Sequence, residues 1–197
     1  MSKSKKNTID PEEIIENYGA DAVRLFMLSD SPPEKDVQWT EQGIAACYKF
    51  IQKLWTLHEK IKVKLNGNEQ SQQNSDVVAK FTNQLINKID TNLEKFHNNV
   101  IVANFYETYN FLIKEVEKPI NKKNLSENYT KILKLMSPVL PHFTSECLEE
   151  LKCDNKFDWP KIDKKISIVE NYNIVVQING KKRNIINTNL NMDEKTL

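Results

Sequence analysis

The 197-residue sequence has little glycine, little cysteine and almost no net charge. Its four glycines form no phosphate-binding loop pattern. The three cysteines, Cys47, Cys147 and Cys153, are odd in number and lack the paired spacing of a zinc site, which favours free thiols in a reducing compartment. A formal charge of +1 is far from that of a strongly basic protein, so any nucleic-acid contact has to come from local patches.

Long apolar runs and clustered histidines are also missing. No stretch is long and apolar enough to cross a membrane, and the polar N-terminus lacks the apolar run of a signal peptide, so we expect no membrane partner and a cytoplasmic location. The histidines His58, His97 and His142 lie far apart in the sequence, so we expect no metal site. His97 is expected at an exposed helix end, and His142 is interpreted as structural.

The sequence is rich in helical periodicity. Apolar residues recur at spacings of three and four in several long segments. The predicted long helices cover roughly 41–66, 76–96, 100–116, 126–136 and 141–151. Because each apolar stripe has to be buried and the connections are short, the pattern predicts a mainly α fold with an antiparallel helix bundle. His58 and Phe96 fall on the predicted apolar faces, and the aromatic third helix is interpreted as core rather than as a base-stacking surface.

Two shorter helices are expected before the bundle, over 11–18 and about 21–28. Asp10 followed by Pro11 is typical of a helix start, since the aspartate caps free N–H groups and proline suits the first helical position. Gly19 is expected to end the first of the two helices. Asp21 and Arg24 in the second are interpreted as a helix cap and a surface ion pair.

The periodicity changes near the C-terminus. The β-rich run 173–178, the Asn179-Gly180 turn signal and the return strand 183–188 predict a hairpin. A lone hairpin is marginally stable in water, so we expect it to begin a small α/β element that is truncated. The basic residues Lys181, Lys182 and Arg183 cluster at the turn, either as a solubilising tip or as a contact to nucleic-acid phosphates.

The first seven residues combine two hydroxyls with three lysines. Such a composition is most typical of a solvated N-terminal tail. Lysines and hydroxyls on a loop that leads into a helix also suit a phosphate-rich ligand, because both donate hydrogen bonds to phosphate oxygens.

A resemblance favours the second interpretation. Met1-Ser2-Lys3-Ser4 is four fifths of the Lys-Met-Ser-Lys-Ser signature of class I aminoacyl-tRNA synthetases, and the sequence most resembles the bacterial-type leucyl-tRNA synthetases. Further stretches resemble that family in the same order, namely 5–15, 18–28, 31–39, 137–142 and 175–181. The Ser-Pro-Pro-Glu-Lys-Asp segment and the Val-Gln-Ile-Asn-Gly-Lys hairpin favour the leucine enzyme over the isoleucine, valine and methionine enzymes. The resemblance covers essentially the whole chain and implies the C-terminal part of a much larger enzyme.

The resemblance also implies a domain organisation. Residues 1–35 would hold the signature loop and a stem-contact region at the end of the catalytic domain. Residues 36–155 would form a helix bundle of the class I anticodon-binding type. Residues 156–171 would be a linker, and 172–197 the start of a C-terminal α/β domain that contacts tRNA.

The function that the resemblance implies is that of leucine–tRNA ligase. The parent enzyme would activate leucine with ATP and Mg²⁺, transfer it to tRNA(Leu), edit its products and act as a monomer. Met1, Ser2, Lys3 and Ser4 would bind the ATP phosphates, with Lys3 catalytic, and the hairpin lysines and arginine would contact tRNA.

This chain by itself is expected to hold no cofactor. It contains no His-Ile-Gly-His element, nucleotide-binding sheet, leucine pocket or editing domain, so we also expect it to be inactive alone. The alternative is a free-standing helical RNA-binding module without catalytic activity.

Overall fold

The computed structural model describes residues 10–29, 37–67, 76–153, 158–164, 166, 171–178 and 181–189. The chain forms two compact units that divide between Asp163 and Lys164, inside the stretch assigned to a linker. The first unit is helical and the second contains a two-stranded sheet, so the prediction of a mainly α fold is confirmed. Among the described residues, no helix is both long enough and apolar enough to cross a bilayer.

The predicted helices are all present. In chain order they are α1 (Pro11–Tyr18), α2 (Ala20–Ser29), α3 (Glu41–Asn66), α4 (Val77–Glu94), α5 (Asn98–Glu115), α6 (Lys122–Met136) and α7 (Pro141–Glu150). The start of α6 was predicted near Ser126 and is wrong by about one turn. The helix begins earlier because the side chain of Asn121 caps it, accepting a 3.0 Å hydrogen bond from the Asn124 N–H.

The apolar stripes of these helices meet in one core. Helix α2 packs against α1, α3, α5 and α7, while α4 packs against α5 and α6. The largest fully buried side chains come from α2 to α6, and they are Leu25, Ile44, Leu57, Ile61, Ile86, Ile89, Ile101, Phe105, Leu112, Leu125, Ile132 and Leu133. The aromatic helix α5 belongs to this core as predicted, since Phe105 is buried and Tyr106 stacks on Phe50 at 3.8 Å between ring centroids.

Helix α2 lies unusually close to the first turn of α3. A Cβ atom at Gly43 would lie 2.4 Å from Cε2 of Phe26 and 2.7 Å from Oγ1 of Thr40. The Phe26 ring is also packed edge-on against Trp39, with 5.0 Å between ring centroids. Glycine is therefore needed at position 43 because the aromatic ring occupies the space that any side chain would fill.

Helix α4 ends earlier than its apolar pattern suggested. Phe96 was predicted on the buried face, but the chain has left the helix there and the side chain is 69% exposed. The N–H of Phe96 bonds to the carbonyl of Leu93, and the N–H of His97 bonds to that of Asn92. These two bonds form a Schellman motif with Phe96 at its left-handed position, where φ is 55° and glycine is the usual residue.

The corner between α6 and α7 is held by two residues of α2. Asp21 is only 6% exposed, and its carboxylate accepts hydrogen bonds from the backbone N–H groups of His142 at 3.3 Å and Phe143 at 2.7 Å. Arg24 donates to the carbonyls of Val139 at 3.2 Å and Pro138 at 2.7 Å. Asp21 thus caps a helix, but the helix is α7. The predicted surface ion pair is wrong for Arg24, which binds backbone carbonyls.

The segment 158–163 packs against α4. The Asn83 side chain pairs with the backbone of Asp163 in both directions, donating to its carbonyl at 2.9 Å and accepting from its N–H at 3.0 Å. Nearby, the indole N–H of Trp159 donates to Asp90 at 2.8 Å, and Pro160 is buried. These contacts fix the last residues of the helical unit on its surface.

The second unit contains the predicted hairpin. Strand β1 (Asn171–Ile178) pairs antiparallel with β2 (Lys181–Asn189). Ile178 pairs with Lys181, which leaves a two-residue connection, as the Asn-Gly signal predicts. The connecting residues 179–180 lie outside the described residues.

Candidate nucleic-acid interface

The residues predicted to form functional sites fall in two places. Met1, Ser2, Lys3 and Ser4 lie outside the described residues, so their assignment to an ATP-phosphate loop stays a prediction. Lys181, Lys182 and Arg183 are the first three residues of β2, next to the hairpin connection.

A β-bulge shapes the basic end of the hairpin. Val176 pairs with Asn184 and Gln177 with Lys182, so Arg183 is the extra residue of β2. In a regular strand, Lys182 and Arg183 would point to opposite faces. A bulge breaks that alternation and re-aims a side chain. Both side chains are exposed, so two cations lie at adjacent positions of an irregular strand end where a phosphate group has access.

The helical unit also contains a polar network that the sequence does not reveal. His58 has no exposed side-chain surface. Its Nδ1 lies 3.0 Å from the Tyr129 hydroxyl, and its Nε2 lies 2.8 Å from a carboxylate oxygen of Glu150. Lys62 donates to both Glu150 at 2.9 Å and Glu59 at 3.0 Å. His58 fits the apolar spacing of α3, and its partners lie 71 and 92 residues away, so no local signal reveals them.

The electrostatics of this network favour a neutral histidine. Burial lowers the pKa of His58, and the Glu150 carboxylate opposes that shift only partly. Hydrogen bonds from Lys62 and then His58 lower the pKa of Glu150. Ligand atoms of His58, Glu59 and Glu150 lie within 4.8 Å of one another, which is close enough for a metal ion. The Lys62 ammonium already contacts both carboxylates, however, so the cluster is a complete ion-pair network as it stands.

A groove of about 740 Å³ lies between the α1–α2 junction, α3 and α7. Tyr18, Tyr48 and Trp55 supply its aromatic lining, and the acidic residues Asp21 and Glu146 also line it. The described lining residues include no lysine or arginine. An aromatic groove with this charge does not suit a phosphate group, so the groove is a poor candidate for contacting a nucleic-acid backbone.

Comparison with known proteins shows which protein families this chain matches. Residues 76–197 match the family described as the anticodon-binding domain of tRNA ligase, and residues 1–40 match the class I tRNA synthetases for isoleucine, leucine, methionine and valine. The chain belongs to the family of anticodon-binding domains of tRNA ligases. The resemblance found in the sequence is confirmed at this level.

The individual relatives are leucine–tRNA ligases. The chain is 35% identical to that of Wolbachia pipientis subsp. Culex pipiens (strain wPip), covering all of this chain and 24% of the relative. It is 37% identical to that of Bartonella henselae, covering 93% of this chain and 22% of the relative. The chain therefore spans about a quarter of the length of the curated relatives it matches.

A solved structure has the same fold. It is the crystal structure of the ternary complex of the Agrobacterium radiobacter K84 agnB2 LeuRS with tRNA and LeuAMS. The match has a TM-score of 0.79 at 25% identity and covers 99% of this chain and 27% of the other.

Proposed function

We propose that this chain is part of a leucine–tRNA ligase, which activates leucine with ATP and transfers it to tRNA(Leu). The observation that carries the proposal is the likeness to leucine–tRNA ligases along all of the chain, from the Met1-Ser2-Lys3-Ser4 signature to the hairpin. In this proposal the helical unit braces the tRNA, and the parent enzyme supplies the leucine site. ATP enters as its Mg²⁺ complex and is a substrate.

The basic end of the hairpin would contact tRNA phosphates. Lys182 and the bulge residue Arg183 are exposed, and lysine and arginine bind phosphate oxygens through charge-assisted hydrogen bonds. With Lys181 they place three formal positive charges in consecutive positions. Such contacts position a nucleic acid without reading its bases.

Lys3 would act on ATP in the activation step. When the leucine carboxylate attacks the α-phosphorus, negative charge moves onto the leaving pyrophosphate. A lysine ammonium that reaches those oxygens stabilises the transition state more than the ground state, and only such differential binding lowers the barrier. Ser2 and Ser4 can donate hydrogen bonds to phosphate or hold the loop.

The proposal is tested on the longest in-frame protein that the gene encodes. We expect ATP–pyrophosphate exchange with leucine and not with isoleucine, valine or methionine, followed by charging of tRNA(Leu). Lys3→Ala should lower the activation rate by about 10²–10³-fold with little change in the KM for leucine. Preference for another amino acid, or unchanged turnover in Lys3→Ala, would contradict the assignment.

Assays on the 197-residue chain by itself distinguish this proposal from the alternative of a free-standing RNA-binding module. We expect no exchange above that of its own Lys3→Ala variant, because the other parts of the ATP site are not in this sequence. We expect weak tRNA binding that depends strongly on salt. Tight binding that selects tRNA over an unrelated RNA would favour the module.

A further inference from the structure

The groove between the α1–α2 junction, α3 and α7 has no part in the proposed function. Its volume of about 740 Å³ lies within the range that is typical of small-molecule sites. Tyr18 and Tyr48 pack edge-on beside it with 5.8 Å between ring centroids, and Trp55 lines it about two helical turns further along α3. Tyr48 is 37% exposed, so a ligand in the groove can reach an aromatic ring.

The groove is electrostatically negative. Asp21 accepts the backbone N–H groups at the start of α7, and its full negative charge exceeds the partial positive charge of that helix end. Glu146, about one turn along α7, is exposed and has no ion-pair partner among the residues that the structure describes. Helix α1 adds three glutamates and no lysine or arginine. A cation is therefore the favoured class of ligand.

Aromatic rings beside carboxylates recognise organic ammonium groups. The ring quadrupole attracts a cation placed over its face, and the attraction strengthens as water is displaced. A bare metal ion is a poorer match, because the described carboxylates and histidines of the groove do not come close enough together to hold one. The apolar lining residues Ala22, Ile51 and Phe143 suit a methylene chain, as an apolar surface suits the stem of a lysine.

We infer that this groove binds an aliphatic polyamine, with its methylene chain over the aromatic rings and its ammonium groups toward Asp21 and Glu146. Asp21 is bonded to the N–H of His142, and Glu146 follows four residues later, so the two carboxylates are anchored roughly 6 Å apart along α7. A short chain with a charge at each end can contact both. The inference goes beyond the proposed function and does not depend on it, because the described groove residues are not among those assigned to ATP or tRNA.

Binding of a polyamine would also fasten α1 to the bundle. None of the side chains of α1 is buried, and Tyr18 at its end packs on Tyr48 of α3. A ligand that contacts Tyr18, Trp55 and Glu146 bridges three helices. We expect the backbone amides of α1 to exchange hydrogen more slowly in the presence of the polyamine. The amides of α4, which contributes no described residue to the groove, should exchange at unchanged rates.

The test titrates the full 197-residue chain with spermidine by isothermal titration calorimetry, with an uncharged diol of similar length as the control ligand. Glu146→Gln removes one charge from the groove, and Glu94→Gln removes one exposed charge from α4 as the matched control. Tyr48→Leu removes an aromatic ring from the groove, whereas Tyr48→Phe keeps it. Far-UV circular dichroism verifies that all four variants are folded.

We expect one spermidine bound per chain and no binding of the diol. Glu146→Gln should weaken spermidine binding about three- to fivefold, and Glu94→Gln should weaken it by less than about twofold. Tyr48→Leu should weaken it about three- to tenfold, while Tyr48→Phe should bind like the unmodified chain. Equal losses in the two glutamine variants would mean a diffuse attraction to net charge and would overturn the site.

Three further results would contradict the inference. Spermidine that does not bind at millimolar concentration, or that slows hydrogen exchange in α1 and α4 alike, would rule out a specific site. Binding of an oligolysine peptide without binding of spermidine would assign the groove to a basic protein segment instead of a polyamine. The assays of leucine activation stand apart from these measurements, so either proposal can fail while the other holds.

Discussion

The carboxylate of Asp21 accepts a 2.7 Å hydrogen bond from the backbone N–H of Phe143, 122 residues further along the chain. A helix N-terminus exposes N–H groups that its own turn cannot satisfy. Leu140, the residue at the N-cap of α7, has no side-chain acceptor, and Pro141 removes one of the donors. Asp21 therefore provides from α2 the cap that the sequence of α7 lacks.

Replacing Asp21 by alanine should lower the free energy of unfolding by about 2–3 kcal/mol. Two N–H groups near the helix start lose a charged acceptor in a buried position. Asp21→Asn keeps an oxygen acceptor without the charge and should cost about 1 kcal/mol. Urea unfolding followed by the helical circular dichroism signal measures both. Asp10→Ala, which removes an exposed cap from α1, is the matched control and should cost no more than about 1 kcal/mol. Equal losses at the two aspartates would refute the special role of Asp21.

Gly43→Ala should destabilise the helical unit, although alanine normally stabilises a helix relative to glycine. The added methyl group meets the Phe26 ring at 2.4 Å, and overpacking of this kind typically costs about 1–3 kcal/mol. Gly67→Ala is the control, because its nearest neighbour is 3.5 Å away. Adding Phe26→Leu to Gly43→Ala should recover part of the loss, since the two sites share one contact. Additive effects in this double-mutant cycle would mean that the clash is not the cause.

Phe96→Gly should stabilise the protein by about 1 kcal/mol. Phe96 has a left-handed backbone with φ of 55°, which is strained for any residue with a Cβ and unstrained for glycine. Little packing is lost, since the ring is 69% exposed. Phe96→Ala removes the ring but keeps the Cβ, so it should give no comparable gain. Thermal or urea unfolding of the unmodified protein, Phe96→Gly and Phe96→Ala measures these stabilities. Equal gains from alanine and glycine would mean that the exposed ring, and not the backbone conformation, is the cause.

The buried His58 should make the helical unit less stable as the pH falls below about 6.5. Burial lowers the pKa of His58 in the folded protein, so the unfolded chain takes up a proton first. The stability that depends on neutral His58 is therefore complete above the unfolded pKa and is lost as the pH falls toward the folded one. Because the pKa of Glu150 is lowered from 4.5, that carboxylate contributes its own loss only at more acidic pH.

The measurement is the unfolding free energy between pH 4.5 and 7.5. His58→Gln should flatten its slope in the window between pH 4.5 and 6.5. His97→Gln, which replaces an exposed histidine at the start of α5, is the reference variant against which the change in slope is compared. If the slope of the unfolding free energy against pH is unchanged in His58→Gln, the pH dependence does not come from His58.

The sequence predicts the helices well because apolar spacing is a local property. The end of α4 is an exception, since Phe96 fits the spacing while the backbone has already turned. The partners of Asp21, Arg24 and His58 could not be predicted, because they lie between 71 and 122 residues away and depend on which helices become neighbours. The hairpin connection follows from Asn179-Gly180, but the bulge at Arg183 depends on strand register and has no comparable signal.

The hydrogen bonds from Asp21 and Arg24 of α2 to the α6–α7 corner also affect when the protein can fold during translation. At roughly 10 residues per second, Asp21 leaves the ribosome on the order of 10 s before Phe143 is synthesised. During that interval the α6–α7 corner does not yet exist, so the Asp21 carboxylate and the Arg24 guanidinium remain hydrated. Closing so long a segment is entropically costly, although the cost grows only slowly with its length. The complete bundle can therefore close only after α7 has emerged, so translation sets the earliest time at which the helical unit becomes native.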